Sequence, residues 1–189
     1  MFNKRGFFFF FIVKKAIDQF YINKDYDSFR EKCKEKLELF DEIRDYVNNY
    51  TVDDFPGKDL SSYPSRNWYI YFDGFKKGNF QITYRTILKI SKVAPLFNFN
   101  HEFDIENKCK DFMESELGDY SDYPYCEDQA KFQEMVTVSL NSRGYYQLTI
   151  AEMEEVIGGF KMPNDVKIFG KNITVDLLLF VDVLNICQR

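Results

Sequence analysis

Three β-rich runs follow one another between Asn67 and Ile105, separated only by short turns. No other feature restricts the fold of this chain as strongly. NWYIYFDG (67–74) is dense in aromatic and β-branched residues, which suit a pleated, half-buried surface. Phe75 to Asn79, with Lys76, Lys77 and Gly78, reads as a turn. Phe80 to Ile90 alternates: Phe80, Ile82, Tyr84, Thr86, Leu88 and Ile90 fall on one face, and Gln81, Thr83, Arg85 and Lys89 on the other. Ser91 to Pro95 turns the chain, and Leu96 to Ile105 is the third run. Parallel neighbours need a crossover of roughly a dozen residues or more, so these connections predict an antiparallel meander. On the third strand Glu102, Asp104 and Glu106 share one face, and His101, Phe103 and Ile105 the other. A hairpin would set Arg85 and Lys89 across from those acids, giving either cross-strand ion pairs on a solvated face or a second acidic binding face.

Helical periodicity flanks the meander. Tyr26, Phe29, Cys33, Leu37, Phe40, Ile43 and Val47 recur by threes and fours, which predicts a helix over 26–49 with Asp25 as its N-cap. Pro56, Gly57, Ser61, Ser62 and Pro64 make 51–65 a loop. A second helix is expected from Glu127–Asp128 to just before Gly144, with Ala130, Phe132, Met135, Val136 and Leu140 as its apolar stripe. Tyr145 to Leu148 reads as extended. Thr149 and Glu152 form a capping box for a helix through Ile157, stopped by Gly158–Gly159. A turn at Met162–Pro163–Asn164, a short strand at Val166–Phe169 and a last helix from Thr174 to Leu184 complete the expectation. The fold class is therefore α+β, an antiparallel meander of three to four strands packed against several α-helices. With 189 residues, one domain is the default. Its 21 Phe and 13 Tyr require a core built of large rings.

The N-terminus begins MFNKRGFFFFFIVKK. Its apolar run from Phe7 to Val13 is short for a secretion signal, ends in Lys14–Lys15, lacks a small-residue cleavage site and is too short to span a bilayer. A buried strand, the first turns of a helix or a loosely attached leader over 1–13 remain as readings.

Charge is unevenly spread. Residues 111 to 189 carry 14 acidic and 6 basic groups, a net −8 in a chain whose total is −5. Nucleic-acid binders need a basic face for phosphate contacts, so nucleic acid is not an expected partner. The acids concentrate in DFMESELGDYSDYPYCED (111–128), which holds Asp111, Glu114, Glu116, Asp119, Asp122, Glu127 and Asp128 and no Lys or Arg. Phe112, Tyr120, Tyr123 and Tyr125 are threaded through it, with Pro124 marking a turn. Acid beside aromatic on a turn-rich loop is a composition suited to docking a basic protein, the acids steering its approach and the rings anchoring it.

Catalytic chemistry is poorly represented. Cys33, Cys109, Cys126 and Cys187 include no C-x-x-C pair and match no zinc spacing, which fits reduced thiols in a cytosolic protein. His101 is the only histidine, and its predicted strand gives it apolar neighbours. A metal site from His101, Cys109 and Cys126 would still lack a fourth ligand. No metal or cofactor is expected.

The runs WYIYFDGFKKGNFQITYRTILKISKVAPLFNFNHEFDIEN (68–107) and GYYQLTIAEMEEVIGGFKMP (144–163) resemble small immunity proteins encoded beside bacterial polymorphic toxins. The resemblance is one of style, an acidic, aromatic-rich α+β domain with a central meander, and carries no signature residue. It implies a cytoplasmic inhibitor without cofactors that binds a cognate, commonly basic, toxin. On that implication Asp119, Tyr120, Asp122, Tyr123 and Tyr125 are the contacts, and Glu114, Glu116, Glu127 and Asp128 the steering charges. Two other readings stand beside it. One is a small carboxylate-dependent hydrolase or other enzyme, with or without a contribution from Cys109 or Cys126. The other is a subunit that docks through its Phe-rich N-terminus.

Overall fold

The alternation between Asn67 and Ile105 becomes the centre of a sheet. The computed structural model of the chain describes residues 4–54, 63–108, 115–158 and 172–187. In it β2 (Ser65–Lys77), β3 (Phe80–Ser91) and β4 (Leu96–Asn107) run antiparallel, with Trp68 opposite Leu88 and Leu88 opposite Phe99. β1 (Thr51–Asp54) adds outside β2, and β5 (Ser115–Ser121) outside β4. β6 (Tyr146–Leu148) pairs in parallel with Leu96–Asn98 at the start of β4. The fold is α+β with a strand meander, as expected, and the sheet is larger than three to four strands: six among the described residues.

Two added strands correct the sequence reading. Thr51–Asp54 falls in the stretch expected as a loop, and β5 lies in the acidic stretch also expected as a loop. Neither TVDD nor SELGDYS favours a strand by composition. The open backbone edges of β2 and β4 recruit them, since a strand's tendency to form depends chiefly on its neighbours. Pro56, Gly57, Ser61 and Ser62 lie outside the described residues, as do the expected turn at 162–164 and strand at 166–169.

The β2–β3 register shifts between Phe72 and Phe75. Gly74 sits at this bulge, where a Cβ would run into the backbone carbonyl of Ile82. Glycine permits that approach, and the bulge sets Phe75 directly opposite Ile82.

One face of the sheet presents Trp68, Ile70, Phe72, Leu88, Ile90, Phe97 and Phe99. They are buried against α3 (Asp41–Val47) and α4 (Glu127–Ser142), whose Ile43, Val47, Phe132, Val136 and Leu140 complete the cluster. A second cluster joins α1 (Lys4–Ile17), a π-helical turn (Asp18–Ile22), α2 (Tyr26–Lys34) and α6 (Val175–Leu179) to Leu96 and Leu148. The N-terminal run is thus helical. Phe9, Ile12 and Val13 are buried, while Phe10 and Phe11 face outward. No helix of the described residues is long and apolar enough to cross a membrane.

Three helices depart from expectation. The helix read over 26–49 is two. α2 ends at Lys34, Glu35 turns extended, and Leu37, Leu39 and Phe40 pack from the connection onto the sheet cluster. The capping box forms, with Thr149 Oγ1 accepting from the Glu152 N–H and Glu152 accepting from the Thr149 N–H. Yet α5 (Ile150–Met153) stops short of Ile157, because Val156 bridges to Thr174. Thr174 caps α6, which ends at Leu179 rather than Leu184. The carbonyls of Leu179 and Phe180 are taken by the hydroxyls of Ser91 and Ser65, each at 2.8 Å, so the sheet and not a further helical turn satisfies them.

Candidate partner-binding surface

The acidic stretch folds as an edge strand, a turn and the start of α4. Alternation along β5 divides its side chains between the two faces of the sheet. Leu117 pairs with Ile105 and Asp119 with Phe103, so both lie on the face that α4 covers further along. Tyr120 pairs with Glu102 and shares the opposite face with Glu102, Asp104 and Glu106. The two acidic regions distinguished in the sequence therefore meet at β5. Gly118 stands opposite Asp104, where an added Cβ would strike the Asp104 carboxylate. Glycine lets that carboxylate lie across the strand.

Three large apolar side chains of this segment face solvent: Leu117 is 64% exposed, Tyr120 59% and Tyr123 78%. Asp119 is exposed on Leu117's face of the strand, its carboxylate accepting the Tyr120 N–H at 2.8 Å. Glu127 is exposed and ion-paired at 2.7 Å with Lys131, which holds its carboxyl below the usual range. Asp128 is half-buried, and its backbone carbonyl meets the Tyr46 hydroxyl. Glu116 occupies the β5 position opposite Glu106, and Glu114 lies outside the described residues.

Asp122 and Tyr125, both expected as contacts, have internal work. The Asp122 carboxylate accepts the Ile150 N–H at 2.8 and 2.9 Å, tying the turn to the first residue of α5. Burial raises its pKa. The Tyr125 ring meets Phe103 edge-on at 4.6 Å. Its N–H donates to Gln129 Oε1 at 2.8 Å, while Gln129 Nε2 donates to the carbonyls of Arg85 and Glu102 at 3.0 and 3.2 Å. Gln129 is fully buried. One side chain thus fastens the turn, the first turn of α4 and the sheet centre together. Gln129→Leu keeps the shape and strips all three bonds. It is expected to cost about 2 kcal/mol in urea unfolding, since it leaves buried polar groups unpaired. A loss below about 0.5 kcal/mol would show that Gln129 does not brace the turn.

The second acidic face is partly neutralised. Arg85 opposes Glu102 as expected, donating from Nε at 2.6 Å and from Nη2, while Asn100 donates to the other Glu102 oxygen at 2.8 Å. The rings of Tyr69 and Tyr71 each lie 5.9 Å from the guanidinium. Lys89 instead faces Asn98 and reaches Asp176 at 3.7 Å. Glu106 pairs with Lys108 at 2.8 Å. Asp104 is exposed close to Tyr120's strand.

An apolar row that the sequence expectations do not contain crosses the sheet. Phe75, Ile82, Ile105 and Leu117 pair in succession across β2, β3, β4 and β5. Phe75 and Leu117 are exposed, as is Phe80, so α3 and α4 leave this end of the sheet uncovered. The signal was present: the apolar alternation of β3 and β4 runs on past the residues the helices bury.

Two potential nucleophiles, His101 and Cys126, are poorly placed. His101 is fully buried, with Thr86 Oγ1 2.8 Å from Nδ1 and Phe99 stacked at 5.6 Å, so it meets no molecule arriving from solvent. Burial raises the Cys126 thiol, reducing its thiolate fraction. Cys109 lies outside the described residues, among which no group of three His, Cys, Asp or Glu is placed to hold a metal. No protein-family model matches the chain, and neither a curated protein nor a solved structure matches it.

Proposed function

We propose that this chain is a protein-binding module that captures a basic protein on the β5 edge of its sheet, as an immunity protein captures the toxin it neutralises. One observation carries the reading: Leu117, Tyr120 and Tyr123 are exposed within a short segment that also displays Asp119. Leu117 lies on one face of the edge strand and Tyr120 on the other, so a partner would wrap the edge; exposed apolar side chains mark interaction sites, and tyrosines are favoured anchors. The apolar row from Phe75 to Leu117 extends the contact area, and the acidic stretch from residue 111 to 189 supplies long-range attraction for a basic partner. Asp122, Tyr125 and Gln129 hold the edge in place, so little conformational entropy is lost when it is covered.

The test uses the basic protein that a tagged copy retains in its native cell, with affinity and rates measured on the purified pair. Tyr123→Ala is expected to weaken binding by about 2 kcal/mol, roughly thirtyfold, through faster dissociation. Asp119→Asn is expected chiefly to slow association and flatten its salt dependence. Unchanged affinity for both Tyr120→Ala and Tyr123→Ala would remove the edge from the interface.

A further inference from the structure

A cavity of about 460 Å³ lies between α1, the end of α2, the β3–β4 turn and the turn after α4. Its floor is apolar. Ile12 and Ala16 come from one face of α1, Val93 and Ala94 from the turn, and all four are buried. Its walls are cationic. Lys15, Lys32 and Lys92 all line it against a single acid, Glu35, in a chain whose net charge is −5.

These ammonium groups are unequally engaged. Lys15 has no ion pair among the described residues. Lys32 touches Glu35 only at 3.9 Å. Lys92 is drawn inward, donating to the Cys33 carbonyl at 2.7 Å. Burial lowers its pKa, because low-dielectric walls disfavour the charged form. An anion in the cavity would give Lys15 a counter-charge and Lys32 a closer one. The Tyr145 side chain adds a polar group to the lining, half-buried and raised in pKa first by burial and then by Glu35.

We infer that this cavity binds a small anionic molecule with an apolar body, a carboxylate, sulfonate or phosphate head on an aromatic or short aliphatic tail. The volume falls in the range of about 300–1,000 Å³ usual for small-molecule sites, and a few polar groups over an apolar floor is their common construction. The head meets Lys15 and Lys32 at the rim while the tail covers Ile12, Ala16 and Val93. This site uses none of the residues of the β5 edge, so it stands or falls independently of partner capture.

The probe is anilinonaphthalene sulfonate, anionic and aromatic, titrated by fluorescence into the full chain. Phenylnaphthylamine is the neutral counterpart. Saturable binding of one sulfonate per chain is expected. Lys15→Glu with Lys32→Glu should weaken it by about tenfold or more while leaving the neutral probe within about twofold. Lys15→Gln with Lys32→Gln, milder in charge, should fall between. Circular dichroism and the unfolding midpoint verify that each variant is folded. Val156→Asp, placed in the separate groove beside Phe10 and Ile22, should leave sulfonate binding unchanged. Sulfonate affinity that ignores both lysine changes, or that Val156→Asp abolishes, overturns the assignment.

Discussion

Phe132→Ala is expected to lower the free energy of unfolding by about 3–5 kcal/mol, the range for a buried aromatic truncated in a packed core. Phe132 is fully buried on α4. Its ring lies 6.1 Å from Tyr46, 5.9 Å from Phe72 and 6.0 Å from Phe99, so one side chain joins the α3–α4 layer to β2 and β4. Truncation loses the transfer of the ring and opens a cavity between helix layer and sheet that rigid strands cannot close. Val138→Ala on the outer side of the same helix is the control, expected within about 0.5 kcal/mol. Urea unfolding followed by circular dichroism reads both. A Phe132→Ala loss below about 1 kcal/mol would mean that the helix layer does not depend on this contact.

His101 makes stability fall with acid. Burial, only partly opposed by the nearby Gln133, pushes its pKa from 6.5 to about 4. The folded value lies below the unfolded one, so the unfolded chain binds the proton more readily. The contribution of neutral His101 is complete above about pH 6.5 and is lost progressively as pH falls toward 4, amounting to about 3 kcal/mol. The Thr86 bond at Nδ1, with no hydrogen-bond partner at Nε2 among the described residues, agrees with a neutral ring. Carboxylates also titrate in this window, so the comparison is with His101→Phe. That variant loses the Thr86 bond at every pH and should show a shallower decline between pH 7 and 4. Parallel curves for the two proteins would place the acid sensitivity elsewhere.

The centre of the sheet was legible because β2, β3 and β4 put chemically different residues on their two faces, which period-two alternation exposes directly. The same alternation set Arg85 across from the acids of β4, where Glu102 is its partner, but set Lys89 there too, and Lys89 faces Asn98. α4 and the Thr149–Glu152 box were legible from periodicity and capping chemistry. Position 35 was not: Leu37 and Phe40 keep a helix-like spacing from the connection, so the pattern ran through the break. β5 was hidden because its acids and glycine disfavour a strand, and only the open edge of β4 makes it one. The roles of Asp122 and Tyr125 depend on Ile150 and Phe103, distant in sequence, so composition could place them in the segment and not decide which way they face. Gln129 had a signal that went unread. It lies on the same helical stripe as Phe132 and Val136, where a polar residue on a buried face calls for partners.

The β5 edge as a docking surface is tested most directly by site-specific photo-cross-linking in the native cell, with the reactive residue at position 123 and, separately, at 138, where Val138 is 66% exposed on α4. Position 123 is expected to yield one dominant product with a protein of basic composition, a product lost on Tyr120→Ala, while position 138 yields none. No product at 123, or a dominant product at 138 alone, would contradict capture through this edge.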